Sequence, residues 1–202
     1  MYLISTNIEQ DEYGQDSLST FVNSDEVYFC LADGSGGISG GKEASLFATS
    51  LVNIAKTEKF NSPDEFEAFL LSLDATISSD SILGETTIIV GKVSNNEVFG
   101  ASVGDSECWI LSNEFDYELS SHQIRKPLLG SGNSKPIGFG PINFSGTLLV
   151  ASDGLFKYAV LSDIKELAHS NHLPQAIDYT RLAQLKSGTY SDDIAVIAIS
   201  AL

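Results

Sequence analysis

The sequence predicts an α+β fold, an α-β-β-α sandwich in which two antiparallel sheets are flanked by helices. Segments with one apolar stripe at helical spacing occur in separate parts of the chain, and each stripe would cover a sheet. Between them, strand-like segments follow one another through hairpin-sized links, which indicates antiparallel pairing. The 202 residues contain no repeat and no long linker, so we expect a single domain over 1–202.

The first half of the chain begins with strands and continues with two helices. Residues 2–7 are predicted as a strand, and 17–22 and 26–32 as the two arms of a hairpin. Apolar residues at helical spacing predict a helix over 40–57. A second helix is expected to begin after Ser62, because a proline follows this residue directly and a glutamate stands three positions beyond it.

The second half of the chain is dominated by strands, which are predicted at 86–93, 97–103, 107–112, 117–120, 147–151 and 193–200. Frequent glycine and proline predict that 121–146 is an irregular surface loop. A short helical turn is expected at 155–158. One or two further helices are expected within 163–185, interrupted near Pro174.

The net charge indicates which binding partners to expect, and the cysteines indicate the cellular compartment. The formal net charge of −16 repels nucleic acids and anionic membranes, so we expect neither as a partner, whereas it suits divalent cations and basic peptides. Cys30 and Cys108 lie in apolar runs, as is typical of reduced core residues in a cytoplasmic protein. We expect no signal peptide, because the apolar run at residues 1–5 is too short and acidic residues follow it. We expect no membrane helix, because no apolar run approaches roughly 18 residues.

Three acids occupy similar positions at the ends of apolar runs: Asp33, Asp153 and Asp192. A carboxylate placed there is held at a sheet edge with little freedom, so the three are candidates for one metal site. Oxygen ligands of this kind suit Mg²⁺ or Mn²⁺. Asp33 would bridge two ions, the carbonyl of Gly34 would add a ligand, and Asp153 and Asp192 would complete the shell of one ion. The alternative is that these acids are ordinary turn residues after strands.

Short motifs in a fixed order resemble the metal-dependent protein serine/threonine phosphatases, the protein phosphatase 2C family. The segment Ala32-Asp33-Gly34-Ser35-Gly36-Gly37 looks like its Asp-Gly-x-Gly-Gly motif. Further segments are similar to its other motifs from 14 to 197: Gly14-Gln15-Asp16, Thr86-Thr87, Val103-Gly104-Asp105-Ser106, Ser152-Asp153-Gly154-Leu155 and Asp192-Asp193-Ile194-Ala195-Val196.

The resemblance implies an α-β-β-α sandwich with two Mn²⁺ or Mg²⁺ ions in a cleft between the sheets. It assigns Asp33, Gly34, Asp153 and Asp192 to these ions and makes the three aspartates the catalytic residues. Asp105 falls where bacterial members hold a weaker third metal, although it also suits a hairpin turn. By the same resemblance Asp16 supports the first ion, largely through water.

The chain also departs from the family pattern. Many members carry an arginine before the position of Asp16 that holds the substrate phosphate, but the segment 8–13 contains no arginine or lysine. Arg125 is a candidate replacement, and an ordinary solvated charge is the alternative. The 48 residues from Asp105 to Asp153 are fewer than in typical bacterial members. A flap beside the cleft is therefore expected to be reduced to the loop 121–146.

These features predict a monomeric phosphoserine/phosphothreonine protein phosphatase that uses metal-activated water. Its expected partner is a phosphorylated protein, and it would oppose a serine/threonine kinase. The alternative is a phosphatase-like regulatory or phosphoprotein-binding module with weak or no catalysis, which the missing arginine and the short flap favour.

Overall fold

The computed structural model describes residues 1–10, 14–35, 40–50, 59–170 and 172–202. Its strands are β1 Tyr2–Glu9, β2 Asp16–Asn23, β3 Glu26–Asp33, β4 Ile88–Ser94, β5 Glu97–Val103, β6 Glu107–Leu111, β7 Asp116–Glu118, β8 Ile137–Asn143, β9 Thr147–Ala151 and β10 Ile194–Ala201. Its helices are α1 Gly41–Ser50, α2 Pro63–Ser79, α3 Asp153–Tyr158, α4 Leu161–Ala168 and α5 Ala176–Leu182.

The strands form two antiparallel five-stranded sheets, as expected. One has the order β1-β10-β9-β6-β7 and the other the order β2-β3-β4-β5-β8. Helices α1 and α2 pack on the second sheet, and α3 and α5 pack on the first. The predicted α+β sandwich is therefore confirmed. The part of the 40–57 helix beyond Ser50 lies outside the described residues.

The core has three apolar layers because the central strands are buried on both faces. In β3, Val27, Phe29 and Leu31 face the other sheet and contact residues of β10, including Ile197. The alternate residues of the same strand, such as Cys30, pack instead beneath α1 and α2. This alternation is the two-residue period of a strand. It leaves Asp33 at the end of a strand that is buried on both sides.

Helix α2 begins as its sequence predicts. The side chain of Ser62 accepts a hydrogen bond from the backbone N–H of Glu65 at 3.3 Å, and Pro63 is the first helical residue. The Glu65 carboxylate in turn accepts from the backbone N–H of Asn61 at 2.6 Å. These contacts satisfy donors that the first turn leaves without intrahelical partners.

The prediction of an irregular loop over 121–146 is wrong in part, because Ile137–Asn143 forms β8 and pairs with β5. Two glycines and Pro141 lie within this strand, and such residues normally argue against one. They are tolerated because β8 is at the edge of its sheet, where a proline without an N–H breaks no ladder hydrogen bond on the open side.

The remaining helices and both cysteines agree with the sequence. The predicted segment 163–185 coincides with α5 and most of α4, which begins at Leu161, and the two helices lie on either side of Pro174. Cys30 and Cys108 are buried free thiols. Among the described residues, none of the helices combines the length and the apolar character that crossing a membrane requires.

Asp74 on α2 organises the loop that precedes β8. Its two carboxylate oxygens accept the backbone N–H groups of Gly130, Gly132 and Ser134, at 2.6, 3.2 and 3.0 Å. The side chain is buried, so these donors have a charged partner that water does not compete for. This contact joins the loop to the body of the domain.

We expect Asp74→Ala to lower the free energy of unfolding by about 3 kcal/mol, because it leaves three backbone donors without their acceptor. Urea unfolding followed by circular dichroism measures the change. Asp64→Ala, on an exposed turn of the same helix, is the control and should cost less than about 1 kcal/mol. Equal effects of the two substitutions would contradict the role assigned to Asp74.

Candidate metal centre

Acids from both sheets meet in one surface cavity of about 780 Å³. Asp33 ends β3 in one sheet. In the other sheet, Asp153 follows β9 and Asp192 precedes β10. Six aspartates line the cavity: Asp16, Asp33, Asp105, Asp153, Asp192 and Asp193. Gly34 lines it as well. The fold thus gathers every predicted site residue in one place, and their role as ligands stays a prediction.

The backbone of Asp33 is fixed by the two threonines that precede β4. Its N–H donates to Thr87 Oγ1 at 2.9 Å, and its carbonyl accepts from the Thr87 N–H at 2.8 Å and from Thr86 Oγ1 at 2.9 Å. Thr87 Oγ1 also shares a hydrogen bond of 2.9 Å with Ser106 Oγ. All three hydroxyl side chains are buried. The sequence showed the threonine pair as a motif but not that it holds Asp33.

Asp16 lies opposite Asp33 in the ladder between β2 and β3. Its Oδ2 accepts from Ser152 Oγ at 2.6 Å, and that hydroxyl oxygen accepts the Ala195 N–H at 2.9 Å. Asp16 is only 5% exposed, and its Oδ1 has no hydrogen-bond partner among the described residues. Ser152 therefore links the two sheets at the cavity, a role that sequence reasoning did not assign to it.

Gly34 and Asp193 set the backbone around these acids. A Cβ at position 34 would collide with the carbonyl of Gly41, so only glycine fits between β3 and α1. The Asp193 carboxylate accepts the N–H of Gln15 at 2.7 Å, immediately before Asp16. Asp193 thereby holds the start of β2 against the segment that carries Asp192.

Burial and mutual repulsion raise the pKa values of Asp16 and Asp33 and thus favour their protonated forms. Burial is the main cause that raises the pKa of Asp33, and the charges of Asp16, Asp153 and Asp105 raise it further. Burial likewise raises the pKa of Asp16, and the hydrogen bond from Ser152 opposes this rise. Carboxylates crowded in this way are stabilised by any cation that enters the cavity.

Basic side chains neutralise the outer acids of the cavity. Arg125 Nε lies 2.8 Å from Asp105 Oδ2. Lys157 Nζ lies 2.7 Å from Asp153 Oδ2 and 3.3 Å from Asp192 Oδ2. The hydrogen bond from Lys157 lowers the pKa of Asp153, although burial is the larger influence and raises it.

The donor set fits a hard divalent cation, but its members are not arranged around one point. Within the described part of the chain, no group of three or more histidine, cysteine, aspartate or glutamate side chains is positioned to hold a metal ion. The acids of the cavity nevertheless supply oxygen ligands, and the buried Oδ1 of Asp16 lacks a partner among the described residues. Oxygen ligands of this kind are those that Mg²⁺ and Mn²⁺ prefer.

Several solved structures with this architecture are serine/threonine phosphatases. A serine/threonine phosphatase from S. agalactiae has a TM-score of 0.82 and 23% identity, covering 100% of both chains. The chain has the protein phosphatase 2C fold. The catalytic domain of PstP, in complex with two manganese ions, has a TM-score of 0.75 and 18% identity, covering 99% of this chain and 97% of that one.

RsbX in complex with magnesium has a TM-score of 0.71 and 18% identity, covering 98% of this chain and 93% of its own. No protein-family model and no curated protein matches the sequence significantly. At these identities the protein phosphatase 2C likeness establishes the fold. The chemistry has to be argued from the cavity.

Thr87→Val is expected to destabilise the protein by about 2 kcal/mol, because valine keeps the shape but leaves the buried N–H of Asp33 without its acceptor. Thermal and urea unfolding measure the loss. Thr76→Val, on the exposed side of α2, provides the control for the loss of a hydroxyl. No difference between the two variants would exclude the proposed clamp.

Without metal, the stability difference between Asp33→Asn and the wild type should grow with pH. Because the pKa of Asp33 is raised in the folded state, the folded protein keeps a proton that the unfolded chain releases above about pH 4. The wild type therefore loses stability as pH rises, and the neutral variant does not share this loss. At pH 8 in EDTA we expect the variant to be more stable by at least about 1 kcal/mol.

Urea unfolding between pH 5 and 8 tests this expectation, with Asp64→Asn as the control for a carboxylate that is exposed. A stability difference between Asp33→Asn and the wild type that is constant over this range would contradict the raised pKa.

Proposed function

We propose that the protein is a divalent-metal-dependent phosphoserine/phosphothreonine protein phosphatase. The observation that carries the proposal is the convergence of Asp16 and Asp33 from one sheet with Asp153 and Asp192 from the other on a single cavity. Phosphatases share the fold in which these acids meet, which supports the proposal further.

In this proposal two Mn²⁺ or Mg²⁺ ions are held by Asp33, Gly34, Asp153 and Asp192. When bound, such ions neutralise phosphate oxygens and lower the pKa of water, as hydrolysis of a phosphate ester at neutral pH requires. The PstP structure in complex with manganese and the RsbX structure in complex with magnesium support this choice of metals. Asp105 is proposed to contribute to a weaker third ion.

Other residues of the chain position the Asp33 carboxylate and a water molecule in the proposed site. Thr86 and Thr87 fix the main chain of Asp33, so that its carboxylate enters the cavity from a rigid strand end. Asp16 is proposed to orient water beside the first ion, because its free Oδ1 can accept a hydrogen bond while Ser152 holds Oδ2. Such preorganisation limits the movement required during reaction.

Substrate binding requires cations beside these acids. Arg125, Lys126 and Lys157 line the cavity, so a phosphate has basic side chains within its walls even though the segment 8–13 contributes none. We propose a phosphorylated protein as the substrate, an opposing serine/threonine kinase, a monomeric state and a cytoplasmic location.

A phosphatase-like binding module with weak or no catalysis is the second candidate. The ion pairs of Lys157 with Asp153 and Asp192 favour it, because they engage two of the proposed ligands. Metal binding without turnover of any phosphopeptide would support this candidate over the enzyme.

The purified protein should hydrolyse p-nitrophenyl phosphate and a phosphoserine peptide in Mn²⁺ and lose this activity in EDTA. Asp153→Asn removes a charged ligand and should lower kcat/KM by about 100-fold or more. Asp163→Asn, an exposed acid on α4 outside the cavity, is the matched control and should retain full activity. Turnover that persists in EDTA would refute the metal-dependent mechanism.

A further inference from the structure

Lys157 forms a bridge between two separate segments of the chain. Its ammonium contacts Asp153 Oδ2 at 2.7 Å and Asp192 Oδ2 at 3.3 Å. The first acid follows β9 and the second precedes β10. Lys157 thus forms ion pairs with two of the cavity acids.

The position of this ammonium is determined by α3. Lys157 lies one helical turn after Asp153, so the two side chains project from the same face of the helix. The helix itself is fixed to the domain, because Leu155 is fully buried and Gly154 packs against the carbonyl of Asp193. Lys157 is about half exposed, at 47%, and can therefore leave the acids without disturbing the core.

A divalent ion bound to these two carboxylates would compete with the Lys157 ammonium for them. The ammonium contacts Oδ2 of both acids, so the two cations would lie close together. At the rim of a protein they would repel each other more strongly than in bulk water, and metal binding is favoured when Lys157 moves away from the acids. Because a half-exposed ion pair contributes little stability, the lysine can weaken metal binding but cannot prevent it.

We propose that Lys157 competes with divalent metal for Asp153 and Asp192 and thereby lowers the affinity of these two acids for the metal. The inference rests on the proposed function for the identity of these ligands. It adds a residue that determines how much metal the protein requires.

Calorimetric titration with Mn²⁺ tests the competition directly. Lys157→Met keeps much of the length of the side chain without its charge, and it should bind Mn²⁺ at least about fivefold more tightly than the wild type. Lys165→Met removes one positive charge from an ion pair with Asp116 outside the cavity, and it should leave the affinity unchanged. Lys157→Arg retains a competing cation and should stay close to the wild type.

Thermal unfolding provides a second measurement that a purely structural lysine would not satisfy. In EDTA, Lys157→Met should unfold at a lower temperature than the wild type, because the two carboxylates lose their counter-ion. In saturating Mn²⁺ the order should reverse, because tighter binding stabilises the folded state more. A lysine that only supports α3 would lower the unfolding temperature in both conditions, and that result overturns the proposal.

Failure of the inference can be separated from failure of the proposed function. Mn²⁺-dependent phosphatase activity of the wild type with equal Mn²⁺ affinities in the wild type and Lys157→Met would overturn the competition alone. Tighter Mn²⁺ binding by Lys157→Met in a protein that hydrolyses no phosphopeptide would support the competition and count against the enzyme. Absence of Mn²⁺ binding in every variant would overturn both.

Discussion

Asp16 and Asp33 lie opposite each other where the paired strands β2 and β3 reach the cavity, and the free-energy cost of keeping both carboxylates there shapes the rest of the cavity. Burial and the neighbouring acids raise the pKa of both groups. Such a pair persists only when the surrounding structure holds it in place or a cation compensates its charge. The hydroxyls of Thr87 and Ser152 hold the pair in place, and the proposed metal ions would compensate its charge.

The hydroxyl contacts also explain how two sheets build one site. Thr86 and Thr87 tie Asp33 to β4 within its own sheet, whereas Ser152 joins Asp16 to the strands β9 and β10 of the other. The inner acids of the cavity, Asp16 and Asp33, are therefore tied to the core of the sandwich by hydrogen bonds. Asp105, Asp153 and Asp192 instead meet the exposed cations Arg125 and Lys157. Metal affinity and substrate contacts can be adjusted at this outer rim without altering the fold.

Much of the fold could be predicted from local patterns. The cap at Ser62, the hairpin that leads to Asp33 and the break near Pro174 depend on interactions between neighbours in sequence, so the chain itself displays them. The strand β8 could not be predicted in this way. Its glycines and Pro141 carry the local signal of a loop, and only pairing with β5 at a sheet edge makes the strand stable.

For the candidate site, the sequence alone determined which acids end apolar strands, since a continuous apolar run precedes both Asp33 and Asp153 and a glycine follows each of them. Only the tertiary structure decided how these acids are held and balanced. The clamps at Thr87 and Ser152 and the ammonium of Lys157 act across gaps of 54, 136 and 35 residues along the chain. No local pattern encodes such contacts, because strand pairing within each sheet and packing between the two sheets bring together residues that are far apart in the sequence.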